Sequence, residues 1–218
     1  MSSDLPTAGE APAAAPWPER PGLDNAVRRG RGRRPAQQVR AEIIDAAGRL
    51  LLAEGLASFT VERVAALAGV SKMTIYKWWP SKGVLALEGY ATHIDRELAM
   101  PDSGDIEADL TTHLLRFVHV LRDTPAGRVT AELLGAAQTD AELAEAFRSF
   151  YLEPRRAVGI AALEAARERG QLRPDADPEV LSDQLWGACM YRLLTGHRSL
   201  TDEYARALVR DMMHGIGN

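Results

Sequence analysis

The chain has 218 residues, 46% hydrophobic and 26% charged, which suffices for one large or two modest domains with a substantial core. Its net charge of −4 argues, taken as an average, against a nucleic-acid partner, and its single cysteine, Cys189, excludes an internal disulfide and a cysteine-built metal site. The average hides a segregation: residues 28–82 hold eleven Arg or Lys against four Asp or Glu, a local charge of +7 that leaves −11 elsewhere.

The first 27 residues include five prolines and six alanines and few branched apolar side chains, a composition expected to form a disordered tail. Trp17 is its one aromatic residue, an unstructured bystander or a small docking anchor. The opening MSSDLPTAGEAPAAAPWPERPG has neither a basic start nor an apolar run, so no signal peptide is expected. No stretch approaches the roughly 18 to 20 apolar residues of a membrane span. A cytoplasmic protein is therefore the expectation.

Residues 28–36 form a basic, glycine-containing flexible arm in which Arg31, Arg33 and Arg34 suit a phosphate backbone or a minor groove. Its GxG spelling follows no apolar strand and is no dinucleotide signature. From Gln37 onward every segment reads as helix. Ile43, Ala47, Leu50 and Leu51 recur at helical spacing, with Gly55 as C-terminal cap. Thr60 caps a helix with Val61, Val64, Ala65 and Ala68 on one face; Gly69 turns the chain, and Ser71 caps a short helix to about Trp78. A fourth helix, capped by Ser81, spans about 81–99.

Helices at about 105–122 and 126–137 come next. Thr139 and Glu142 then spell a capping box for a long helix running to about Arg169, which Pro154 should bend or split. Asp177 caps a further helix with Pro178 at its first position, burying Leu181, Leu185, Trp186, Cys189 and Leu193 or their neighbours. Thr201 caps the last, with Tyr204, Ala205, Leu208, Val209 and Met212 along one side. No credible strand interrupts the series, so the fold class is all-α.

Residues 60–79 have the physical form of a helix-turn-helix, whose second helix crosses the first and enters the major groove by its N-terminal end. Ala65 is small where the helices cross, and Val70 and Ile75 close the core. Lys72, Met73, Thr74 and Lys77 are left outside, a cation, hydroxyl and flexible apolar mixture that fits base edges and phosphates.

The arm, the stretch IIDAAGRLLLAEGLASFTVERVAALAGVSKMTIYKWWPSKGVLAL and the all-helical remainder resemble the TetR family of bacterial transcriptional repressors. The resemblance is specific over residues 40–87 and looser over YLEPRRA, ERGQLRPDADPE and GACMYRLLTG. It implies a three-helix DNA-binding head, residues 37–82, and a larger helical effector-binding and dimerisation domain, residues 83–218. The implied function is a homodimeric, ligand-responsive repressor of a palindromic DNA operator. Position by position, it implies phosphate contacts for Thr60 at the second helix and Lys82 at the fourth, each at a helix terminus with unpaired N–H groups. It further implies base contacts for Lys72, Met73 and Thr74, and a phosphate and packing role for Tyr76. Trp78 falls at a position commonly against the DNA backbone, and Trp79 at one packed inside the head. Gly83 departs from a frequent glutamate, so the fourth helix is expected to begin less firmly.

The C-terminal helices carry no catalytic or metal motif: the five histidines lack HExxH spacing, and there is no GxSxG or Walker pattern. No enzyme activity, metal or cofactor is expected. His113, Phe117, Phe147, Tyr151, Trp186, Cys189 and Met190 are the candidate lining of a pocket for an unknown small-molecule effector, although a satisfied polar or surface histidine accounts for His113 and core packing for each of the others singly. Two late helices rich in Ala, Leu, Met and Gly suit a four-helix interface between two copies. The alternative function is a structural protein binding DNA without sequence preference or effector.

Overall fold

The computed structural model describes residues 34–94 and 98–215, all of whose regular structure is helical. The tail, Arg31, Arg33 and most of the arm lie outside the described residues. The helices are α1 (Ala36–Glu54), α2 (Val61–Ala68), α3 (Lys72–Tyr76), α4 (Lys82–Ile94), α5 (Ile106–Asp123), α6 (Ala126–Ala137), α7 (Ala141–Ala146), α8 (Glu153–Glu168), α9 (Pro178–Thr195) and α10 (Asp202–His214).

The ends of the elements follow the local chemistry of the sequence. The hydroxyls of Thr60, Ser71 and Thr201 and the carboxylate of Asp177 each accept a backbone N–H of the helix that follows, satisfying groups that the first turn leaves unpaired. Gly69 ends α2 at φ 64°, a left-handed conformation that a side chain disfavours. The capping box expected at Thr139 is not formed. Thr139 instead donates its hydroxyl to the Ala136 carbonyl at the end of α6, and Asp140 accepts the Leu143 N–H at 3.0 Å.

At Pro154 the long helix is divided into α7, a π-helical segment and α8, which has the proline near its start. Between α7 and α8 the chain widens into a π-helical segment, Phe147–Leu152, immediately before the proline. This winding accommodates a residue that has no N–H to give and whose ring crowds the carbonyl one turn back.

Two apolar cores result. The first joins Ile43, Leu51, Phe59, Val64, Ile75 and Trp79 of the head to Leu87 and Tyr90 of α4, and continues to Leu133, Leu143, Phe147 and Tyr151. The second is built from α5, α8, α9 and α10 around Leu110, Leu114, Leu163, Leu185, Cys189 and Val209. Helix α4 is the spine of the first core, with nearly every side chain from Gly83 to Ala91 buried. It lies directly on α1: a Cβ at Gly89 would sit 2.7 Å from the Gly48 nitrogen, so both glycines are required for this crossing.

Gly83 is explained by the same packing. Ser81 caps α4 by accepting the Val84 N–H at 3.3 Å, and the space a Gly83 side chain would need is taken by Leu143 of α7, 3.2 Å away. The start of α4 is therefore held by the neighbouring helix.

Candidate nucleic-acid interface and effector domain

The apolar side of α3 is a single residue, Ile75, whose side chain is buried. Five residues are too few to make a helix stable alone, so α3 depends on its Ser71 cap, on Ile75 and on Trp79 just beyond it. This leaves Lys72, Met73, Tyr76 and Lys77 exposed on the outer side and Thr74 half-buried; Met73 has 71% of its surface in solvent. Lys72, Met73, Tyr76 and Lys77 thus share the outer face of α3, with Thr74 at its edge.

Two of them have partners within the head. Lys72 donates from Nζ to Glu62 of α2 at 2.9 Å, an interaction that raises the lysine pKa and lowers that of Glu62. Both side chains are more than half exposed, so the pair aims Lys72 at little energetic cost to its release. The Thr74 hydroxyl is 3.0 Å from that of Ser71. Thr60 and Lys82 stand at the N-termini of α2 and α4, with Lys82 exposed. Arg34 pairs with Glu42 and donates to the Gly69 carbonyl, which places its guanidinium at the turn between α2 and α3.

The adjacent tryptophans separate as their helical geometry requires. Trp79 is buried in the head core, whereas Trp78 is half-buried and meets it edge-on, with ring centroids 5.8 Å apart. Beneath them lies a group that sequence reasoning missed. Glu88 of α4 is only 2% exposed; it accepts the Trp79 indole N–H at 2.5 Å and a guanidinium N–H of Arg40 at 2.6 Å. Burial raises the Glu88 pKa, with Arg40 and then the Trp79 hydrogen bond opposing the shift. Its signal in the sequence is one acid inside the otherwise apolar run GVLALEGYA.

The head is joined to the rest of the protein at two further places. Glu132 of α6 accepts the Leu56 N–H at 2.6 Å, and Arg128 donates to the Leu52 carbonyl at 3.2 Å, gripping the end of α1. On the other side Tyr90 of α4 hydrogen-bonds Thr130 of α6, whose own hydroxyl donates to the Ala126 carbonyl.

The residues expected to line a pocket divide between the two cores. Phe147 and Tyr151 belong to the first, where Tyr151 packs against Tyr90 with centroids 5.6 Å apart. His113, Phe117, Trp186, Cys189 and Met190 face the second. Burial pushes the Cys189 thiol up to about 12, so it is an inert core residue. Among the described residues no group of three or more His, Cys, Asp or Glu could hold a metal ion, and no helix is long and apolar enough to cross a membrane.

A short capped helix, held across a second by a small core and offering cations and a hydroxyl outward, defines a helix-turn-helix DNA-binding protein. The comparisons place it more closely. Residues 43–88 match the family model described as bacterial regulatory proteins, tetR family, and residues 100–212 match the tetracyclin repressor-like C-terminal domain. The chain belongs to the TetR family of transcriptional regulators, which bind DNA and are not enzymes.

It is 36% identical over 186 residues to the uncharacterized HTH-type transcriptional regulator YdeS of Bacillus subtilis (strain 168), covering 85% of this chain and 93% of that one. The crystal structure of the TetR family transcription regulator SCO0332 superposes with a TM-score of 0.78 at 52% identity, over 83% of this chain and all of the other. The transcriptional regulator FadR from Bacillus subtilis, solved in complex with stearoyl-CoA, has a TM-score of 0.61 at 17% identity, over 82% of this chain and 100% of its own; that likeness is one of fold.

Proposed function

We propose that the protein is a homodimeric repressor that binds a palindromic operator through α3 and releases it when a small molecule enters the C-terminal helices. The observation that carries this reading is the outward row of Lys72, Met73, Tyr76 and Lys77 on a capped helix whose support runs through α4 into the rest of the fold. Thr60 and Lys82 contact phosphates, and Lys72, Met73 and Thr74 meet base edges. That FadR, a regulator of the same fold, was solved in complex with stearoyl-CoA supports a ligand-responsive reading.

The dimer forms through α8 and α9. Val158 of α8 and Val180, Tyr191 and Leu194 of α9 are exposed large apolar side chains, whereas α10 turns Ala205 and Val209 into the second core. An effector acts by tilting α4, which changes the separation of the two heads. A coupling of about 1 to 3 kcal/mol gives roughly 5- to 150-fold changes in operator affinity.

Two lysines test the DNA reading. Lys82→Ala is expected to weaken binding to all sequences about equally and to lower the slope of log K against log salt by about one. Lys72→Ala is expected to change the preference among operator variants. Fluorescence anisotropy across a salt series and a small operator library separates the two, and uniform losses for Lys72→Ala would remove its base-reading role. A binding isotherm with no preference for any sequence would favour the structural DNA-binding alternative.

A further inference from the structure

His113 is the one described residue whose buried side chain carries a polar atom without a hydrogen-bond partner: its Nδ1. The ring lies on α5 and is 9% exposed. A buried acceptor left unpaired carries a cost equivalent to roughly 5- to 150-fold in an equilibrium constant, and a native core rarely keeps such a group without a use for it. Burial holds the ring below the usual imidazole range, a backbone interaction with Ala99 opposing and the Arg116 charge adding to the shift, so the ring is neutral. In its Nε2–H tautomer the unpartnered Nδ1 is a bare lone pair.

What stands next to it is displaceable. Trp186 of α9 meets the imidazole edge-on with centroids 5.5 Å apart and is only half-buried. The far edge of its indole occupies space opened by Gly159 of α8, where a Cβ would lie 3.0 Å from Cη2. Phe117, one turn along α5 from His113, and Met190, one turn along α9 from Trp186, are partly buried against the same core. Methionine repacks readily around a changed neighbour.

We propose that Trp186 is the plug of a ligand slot floored by Gly159 and walled by Phe117 and Met190, in which His113 Nδ1 accepts a hydrogen bond from the ligand. The slot takes a flat apolar molecule with one N–H or O–H donor. The assignment rests on the effector reading above and gives that effector its chemical class.

Indole and benzofuran test it, because the two have nearly the same shape and only indole carries a donor. Calorimetric titration of the full chain is expected to show indole binding about tenfold more tightly than benzofuran. His113→Phe keeps an aromatic ring and removes the acceptor; it is expected to bind both probes equally and to melt no lower than the wild type, since it deletes an unpaired buried group. The 15N resonance of Nδ1 is expected to move with indole and not with benzofuran.

Equal affinities in the wild type, an undiminished preference in His113→Phe, or no binding of either probe at millimolar concentration overturns the proposal. Operator retention with indole bound at His113 contradicts the effector reading and leaves the site standing. Operator release by another compound, equally in wild type and His113→Phe, combined with equal probe affinities, does the reverse.

Discussion

Trp79→Ala is expected to lower the stability of the protein by about 3 to 5 kcal/mol, the range for deleting a large aromatic side chain from a packed core, and to abolish operator binding with it. Trp79 is among the largest fully buried side chains and follows α3 directly. Its removal leaves a cavity under a helix of five residues that has Ile75 as its only other apolar anchor, and it strips the Glu88 carboxylate of an indole donor. Trp78→Ala supplies the contrast: this neighbour is half-buried, so its truncation is expected to cost less stability while weakening DNA binding through its exposed edge. Urea unfolding of the two variants, each paired with an operator titration, checks the difference.

Glu88→Ala is expected to cost a comparable amount, about 3 kcal/mol, at the low end of the 3 to 5 kcal/mol seen when one partner of a buried ion pair is removed. The low end applies because Arg40 keeps 32% of its side chain in solvent and recovers hydration, whereas the buried Trp79 N–H loses its acceptor. Glu88→Gln retains an acceptor for the indole and removes a charge that burial disfavours, so it is expected to cost less than Glu88→Ala.

The pH dependence has a defined sign. The carboxyl of Glu88 titrates above its ordinary value in the folded state, so over the interval between the unfolded and folded values the folded chain binds the extra proton. The contribution of Glu88 to stability is full below the unfolded value and falls as pH rises through the folded one. Melting temperatures of wild type and Glu88→Gln are expected to differ least at low pH, where both side chains are neutral, and the wild type is expected to lose ground to the variant as pH rises across that interval. A constant difference contradicts the assignment.

The parts of the structure legible in the sequence are those decided within one helical turn. Thr60, Ser71, Asp177 and Thr201 announce their helices because a capping side chain meets a backbone N–H only two or three residues away. Thr139 misleads because its neighbour Asp140 competes for the same role, and the outcome depends on the Ala136 carbonyl at the end of the preceding helix. Glu88 shows in local pattern only as an acid in an apolar run; its role is not readable there because Arg40 stands 48 residues away along the chain and the two meet only when α1 and α4 cross.

The candidate pocket residues show the same limit. Periodicity places Phe147, Tyr151, Phe117 and Trp186 on apolar faces, yet tertiary packing sends the first two to the head-linked core and the others to the C-terminal one. Gly83, which reads as a weak helix start, is accounted for only once Leu143 is seen against it. The outward residues of α3 were legible because a five-residue helix with one buried position leaves few choices for the rest.

The most direct test of the account is selection of bound sequences from random duplex DNA by the full-length protein at physiological salt, followed by footprinting. A palindromic site is expected, with half-sites centred one helical turn apart, about 34 to 36 Å, or a multiple of it. Protection that tracks total DNA and enriches no sequence would contradict it.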